Sequence, residues 1–226
     1  MILNIHTATE KAIINLCDGE EVLGTLYNND SKQHASFLHQ AIHDLLISQS
    51  VSLSQLQAIG VNHGPGSYTG IRVGLATAKG LCYALKIPLI TFNTLEILAN
   101  SSIHEVNNND KKALYCPMID ARRMEVFTAI YNSELQEILK PQAMVLSDGS
   151  FDEFGNSQPI YFSGNGAHKF EELHIQSNYY FDNAVEISTQ SICHISEQKN
   201  LINEFTDLIH SEAYYLKEVH FLQRKS

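Results

Sequence analysis

The segment His63 to Gly70, HGPGSYTG, is the sharpest chemical signal in the chain. Glycines between a strand and a helix let backbone N–H groups turn toward an anion, and the helix N-terminus adds a partial positive charge. Gly64, Gly66, Ser67, Thr69 and Gly70 are therefore candidate phosphate contacts. No G-K-[ST] follows, so this is not a Walker A loop, and G-x-G-x-x-x-G after a fourth strand does not match a dinucleotide fingerprint. The same residues also suit a tight strand–helix connection on a Pro-Gly turn. His39 and His43 share a helical face at zinc-compatible spacing, but no glutamate stands between them and no third ligand accompanies them, which equally describes the polar flank of an amphipathic helix. Asp120 and Glu125 read either as an acid–base pair or as a solvated hairpin turn. Ser163-Gly164-Asn165-Gly166 is a second glycine loop. No G-x-S-x-G elbow is present. Cys17, Cys82, Cys116 and Cys193 are scattered without a C-x-x-C pair, which predicts free thiols in a reducing cytoplasm.

These residues need elements to hold them. Ile2–Ile5, Lys11–Leu16 and Glu21–Tyr27 read as three antiparallel strands, with Asp18-Gly19 as a hairpin turn. Phe37, Leu38, Ala41, Ile42, Leu45 and Leu46 then fall on one helical stripe between His34 and Ser48. Ala58–Val61 is a strand, Ile71–Leu85 a helix, Pro88–Phe92 a strand, and Thr94 opens a helix to about Ser102. Asn107 to Lys112 is polar and turn-rich and marks a boundary. The second half reads as strands at Ala113–Ile119, Glu125–Tyr131, Gln136–Met144 and Ile160–Phe162. A helix is expected at Ile187–Leu201 and through much of the tail. The order is mixed α/β, with no internal repeat evident.

The helix Ile71–Leu85 carries only Arg72 and Lys79 as charges, seven residues apart and so one narrow stripe. A surface helix is polar on its outer half. This one must be covered on two sides, by the chain's own second half or by another subunit. Gly70, Gly74 and Ala78 stand four apart and permit close backbone approach.

Composition narrows the classes. The 226 residues, 44% hydrophobic, suffice for one large domain or two small ones. With 15 Lys+Arg against 25 Asp+Glu, the net charge of −10 is poorly suited to gripping a nucleic acid directly. No basic, apolar leader pattern and no run of membrane length stand out, so a cytoplasmic protein without membrane contact is expected.

Five segments, ILNIHTATE, HASFLHQAI, VNHGPGSYTGIRVGLATAKGL, IDARRMEVF and EAYYLK, together resemble the bacterial TsaB (YeaZ) family, over nearly the whole chain and most closely from Ala58 to Leu95. The resemblance implies an α/β, two-lobed actin-like fold (actin/Hsp70/sugar-kinase, ribonuclease-H-like), each lobe a mixed sheet flanked by helices. Residues 1–105 with a returning 206–226 would form one lobe and 106–205 the other. It implies a scaffold that binds and activates a catalytic paralogue, TsaD, in threonylcarbamoyl transfer to the adenosine beside the anticodon of ANN-reading tRNAs. A small ATPase, TsaE, would join them. The chain alone would form a homodimer, tRNA contact would be indirect, and no cofactor would be tightly held, with ATP or ADP at a site shared between partners. Thr7 joins the loop residues as a nucleotide contact on this reading. Phe37, Leu38, Ile42, Arg72, Gly74, Leu75, Ala78 and Lys79 become the partner surface, and Asp120, Arg122 and Glu125 the family's hairpin. The paralogue's H-x-E-G-H metal motif corresponds to Thr94–Leu98, where Thr94 and Leu98 replace the histidines, so neither metal nor catalysis is expected. The family's usual I-D-T is Ile5-His6-Thr7 here, and an imidazole does not replace a carboxylate as a hard-cation ligand. Met124 stands for a usual glycine. The alternatives are an ATP-dependent small-molecule kinase and a glycoprotease-like metallopeptidase.

Overall fold

The computed structural model describes residues 1–30, 33–106, 110–155, 158–173 and 178–217. Residues 107–109 of the expected boundary Asn107 to Lys112, and the tail beyond 217, lie outside the described residues. The first half builds β1 (Ile2–His6), β2 (Ala12–Asp18), β3 (Glu21–Asn28), α1 (His34–Ser48), β4 (Ala58–Gly64), α2 (Tyr68–Leu85), β5 (Leu89–Asn93) and α3 (Thr94–Val106). Its sheet runs β3-β2-β1-β4-β5, antiparallel among β1–β3 and parallel across β1, β4 and β5.

The second half builds β6 (Leu114–Asp120), β7 (Glu125–Asn132), β8 (Glu137–Val145), α4 (Asp152–Gly155), β9 (Ile160–Ser163), α5 (Ala167–Glu171), β10 (Tyr179–Asp182) and α6 (Thr189–Leu201). Its sheet runs β10-β9-β6-β7-β8, again with the first three strands antiparallel and the last two parallel. Each lobe is therefore a third–second–first–fourth–fifth sheet, and the molecule is a two-lobed α/β protein of actin-like topology. The duplication lies in topology, not in sequence.

Both faces of the first sheet are covered, which is why β1 and β2 are apolar at alternate and intervening positions alike. Leu3, Ile5, Ile14 and Leu16 pack against Leu38 and Leu45 of α1 and Leu75 and Ala78 of α2. Ile2 and Ile13 point the other way, to Ile97 of α3 and to Ile192 and Ile195 of α6. α3 also packs on β6, β7 and β9, and so joins the lobes.

Four features differ from the sequence reading. The described residues 202–217 after Leu201 form no helix: Thr206 bridges Leu89, and the Tyr214 amide donates to the His63 carbonyl at 2.7 Å, so this stretch pairs with the first lobe. α6 rests on β1, β2, β3 and β5, so by packing it belongs with the first sheet although the second lobe was expected to reach residue 205. α4 and β10 had no sequence signal, being only four residues each. Finally, Cys17 and Cys193 are joined as a disulfide, not free, because α6 lays Cys193 on β2 with 5.9 Å between the Cα atoms. Cys82 and Cys116 are free and buried, and burial raises their thiols to about 11 and about 12.

Candidate functional site

The loop between β4 and α2 is held by the chain itself. Ser67 is the N-cap of α2, and its hydroxyl accepts from the Gly70 amide at 3.3 Å. Its own amide donates to the Ala8 carbonyl at 2.7 Å. Thr7 is buried, and its hydroxyl donates to the Gly70 carbonyl at 2.7 Å. Gly66 has φ +148°, and a Cβ there would collide with the Ala8 carbonyl. A Cβ at Gly70 would collide with the Thr7 carbonyl. The glycines thus let the loop press onto the turn after β1. Gly64, Gly70 and Thr7 lie behind the surface, while Ser67 and Thr69 are exposed.

Gly66, Ser67 and Thr69 face a cavity of about 780 Å³ between the lobes. Its other wall is Asp120, Ala121 and Arg122, with Asn165 and Lys217 at the edges. The glycine loop and the Asp120–Glu125 hairpin, about fifty residues apart in sequence, therefore meet across one cleft. Lys217 was not singled out from the sequence, although it lies in the EAYYLK segment, and Asn165 was read only as part of the second glycine loop. Arg122 and Arg123 both adopt left-handed φ, +71° and +51°, in the turn before Met124.

The hairpin is fixed from below. Lys169 of α5 is buried and donates to Asp120 Oδ1 at 2.8 Å and to the Glu125 carbonyl at 3.0 Å. Desolvation works to raise the Asp120 carboxyl, but Lys169 and the Arg122 amide outweigh it and hold it below the usual range. Glu125 pairs with Lys217 of the tail. Asp120 and Glu125 are thus structural anchors of a turn. Lys169→Met is expected to lower unfolding free energy by about 1–2 kcal/mol, because it removes the ammonium bonds to Asp120 and to the Glu125 carbonyl, although that carbonyl keeps the Ala121 amide and Asp120 stays partly solvated. Urea denaturation checks this.

The cleft fits a nucleotide poorly. The amides of Ser67 and Gly70 are already used, and the only cation on the cleft wall outside an internal pair is Arg122 among the residues named. His6, at the position of the family's acid, is fully buried and turned away to Thr9, with Nε2 and Oγ1 2.9 Å apart. At the positions of the paralogue's histidines, the Thr94 hydroxyl is spent on Asn62 and the Pro65 carbonyl, and Leu98 is buried. Among the described residues no group of three or more His, Cys, Asp or Glu could hold a metal ion. His39 and His43 are exposed on α1, and His43 Nδ1 lies 3.3 Å from Asp44.

The expected partner surface divides in two. Leu38, Ile42, Gly74, Leu75 and Ala78 are buried in the chain's own core, and Phe37 is half-buried. A Cβ on Gly74 would collide with the Thr7 hydroxyl, so the stripe Gly70–Gly74–Ala78 serves close approach of α2 to β1, not to a partner. Arg72 lies over the Tyr68 ring at 4.0 Å and donates to Tyr215 Oη at 2.9 Å. Lys79 donates to the carbonyls of Ile209 and Ser211. Both cations therefore clasp the chain's tail. The solvent face of α2 instead carries a second small-residue row, Ala76, Gly80 and Ala84, beside Tyr83, which is 81% exposed. His39, His43 and Ile47 form the outer face of α1, which packs alongside.

A family model described as "TsaD: tRNA N6-adenosine threonylcarbamoyltransferase" matches residues 21–217. The chain is 32% identical over 167 residues to the tRNA threonylcarbamoyladenosine biosynthesis protein TsaB of Bacillus subtilis, covering 73% of this chain and 70% of that protein. It is 29% identical over 150 residues to the TsaB protein of Escherichia coli, covering 62% of this chain and 63% of that one. The fold matches the crystal structure of YeaZ from Pseudomonas aeruginosa with a TM-score of 0.80 at 22% identity, over 95% of this chain and 99% of that one. A polyphosphate/ATP-glucomannokinase from Arthrobacter shares the fold more distantly, with a TM-score of 0.50 at 10% identity, over 88% of this chain and 98% of that one. On sequence and on fold together, the chain belongs to the TsaB (YeaZ) family.

Proposed function

We propose that this chain acts in tRNA threonylcarbamoyladenosine biosynthesis as a non-catalytic subunit that binds and activates a TsaD-like paralogue. The relatives' names give the pathway. The observation that carries the subunit role is the outer α1–α2 face. A row of small residues beside an exposed tyrosine suits close helix packing against another chain, and spends little on solvation by itself. The same face would join two copies when the paralogue is absent, since an isologous dimer reuses one patch. Thr94 and Leu98 support the non-catalytic part, because a hydroxyl already donating inward and a leucine cannot hold the paralogue's metal. Any ATP or ADP in the cleft would be held chiefly by partners, among them a TsaE-like ATPase. Contact with tRNA would fall to the paralogue, given the net charge of −10. Such a protein works in the cytoplasm.

Reconstitution tests this. Unmodified tRNA, threonine, bicarbonate and ATP are supplied with the threonylcarbamoyl-adenylate-forming enzyme and the small ATPase, and the modified nucleoside is quantified by mass spectrometry. Product is expected with paralogue and chain together and not with the chain alone. Product from the chain alone makes it an enzyme. No gain over the paralogue alone removes the subunit role.

A further inference from the structure

A second polar cavity, of about 300 Å³, lies away from the interlobe cleft, where the ends of β4 and β5 meet β7 and α6. Its floor is Tyr131, a residue only 2% exposed, whose hydroxyl has no hydrogen-bond partner among the described residues. A buried unpaired hydroxyl costs about 1–3 kcal/mol, so a structure that keeps one usually has something to place against it. The carboxylates of Glu96 and Glu137 line the same cavity, and the charges of both act on that hydroxyl. Glu96, on the first turn of α3, is half-buried, and among the described residues it accepts only a long 3.5 Å bond from the Asn93 amide. Desolvation raises its carboxyl above the usual range, Lys199 opposing.

The remaining walls sharpen the chemistry. His63 Nδ1 sits 2.9 Å from the Phe92 carbonyl, so that nitrogen carries the proton and Nε2 is left as an acceptor. Burial lowers the His63 pKa. Lys199 is paired with Glu204 at 2.6 Å. The cavity therefore offers acceptors from Tyr131, His63, Glu96 and Glu137, with two carboxylates lacking an ion-pair partner among the described contacts. No set of three metal-ligating residues converges there among the described residues, so its geometry does not suit a metal ion.

We propose that this cavity binds a small organic cation, an ammonium or guanidinium on a short alkyl chain, seated on Glu96 and Tyr131. Such a group brings several donors to a site rich in acceptors, and charge-assisted bonds to Glu96 and Glu137 balance the negative charge. The volume takes one such chain, either a free amine or an arginine side chain carried in by another protein.

Calorimetric titration of the full chain with putrescine, and separately with Nα-acetyl-arginine methylamide, tests it. Saturable one-site binding of at least one probe is expected. Glu96→Gln is expected to weaken it about tenfold or more, and Tyr131→Phe, which keeps the ring and the core, by about three- to tenfold. A preference for putrescine identifies a free amine as the source, and a preference for the arginine derivative identifies a protein-borne side chain. No saturable binding of either probe overturns the assignment. So does unchanged affinity in both variants, or displacement of the probe by stoichiometric magnesium at matched ionic strength.

Discussion

Gly80→Arg is expected to leave the fold intact and to abolish binding of the TsaD-like paralogue. A Cβ at Gly80 meets no atom within 4 Å, so the monomer accommodates the new side chain freely. Replacing a glycine inside α2 even favours the helix by up to about 1 kcal/mol. The melting temperature is therefore unchanged or slightly raised. At a packed helix interface the same arginine places a charge and a long chain where two backbones must approach. Losses at the centre of such an interface reach 2 kcal/mol or more, so affinity should fall by about 30-fold or beyond, and modified nucleoside should fall with it. Gly74→Arg is the contrast. Its Cβ would strike the Thr7 hydroxyl inside the first lobe, and that variant should fail to fold. Pull-down and thermal melting of both variants decide the matter. Full affinity in a folded Gly80→Arg protein would remove the outer face of α2 from the interface.

Acid should unfold this protein earlier than its carboxylates alone require, because of His6. The ring is fully buried, and desolvation, helped by the nearby His34, lowers its pKa from 6.5 to about 3. The Thr9 hydroxyl already donates to the Lys11 carbonyl, so it must accept from His6 Nε2–H, which leaves Nδ1 buried without a partner among the described residues. Between pH 6.5 and about 3 the unfolded chain holds one proton more than the folded one at this site. Stability at this site is thus complete above pH 6.5 and falls with decreasing pH, by about 1.4 kcal/mol per unit. Between pH 7 and pH 5 the loss is about 2 kcal/mol. His6→Asn removes the titration and should flatten that part of the profile, whatever its stability at neutral pH. Urea midpoints at the two pH values measure it. An equal pH dependence in both proteins would show that His6 is not the cause.

Much of this was legible in the residues. The Asp18-Gly19 turn, the stripe on α1 and the segment Ala58–Leu95 fixed the first lobe, because each is a local signal: a turn needing one backbone geometry, a 3.6-residue period, a loop with three glycines. The second lobe was thinner in signal. α4, α5 and β10 are four or five residues long, too short for a period to emerge. Their place is set by the ring cluster of Phe151, Phe162, Phe170 and Tyr179, which only folding assembles.

The sequence by itself determined the order of elements, the apolar character of α2 and the absence of histidine at Thr94 and Leu98. It could not say which side of α2 faced inward, since both sides carry small residues four apart. The close approach of β1 at Thr7 decided that, turning Gly74 inward and Gly80 out. Nor could it see that α6 returns to the first sheet and pairs Cys193 with Cys17, 176 residues away, or that Tyr131, Glu96 and His63 share one cavity. Those are contacts between distant segments, fixed by burial and by the duplicated sheet order, and no spacing along the chain encodes them.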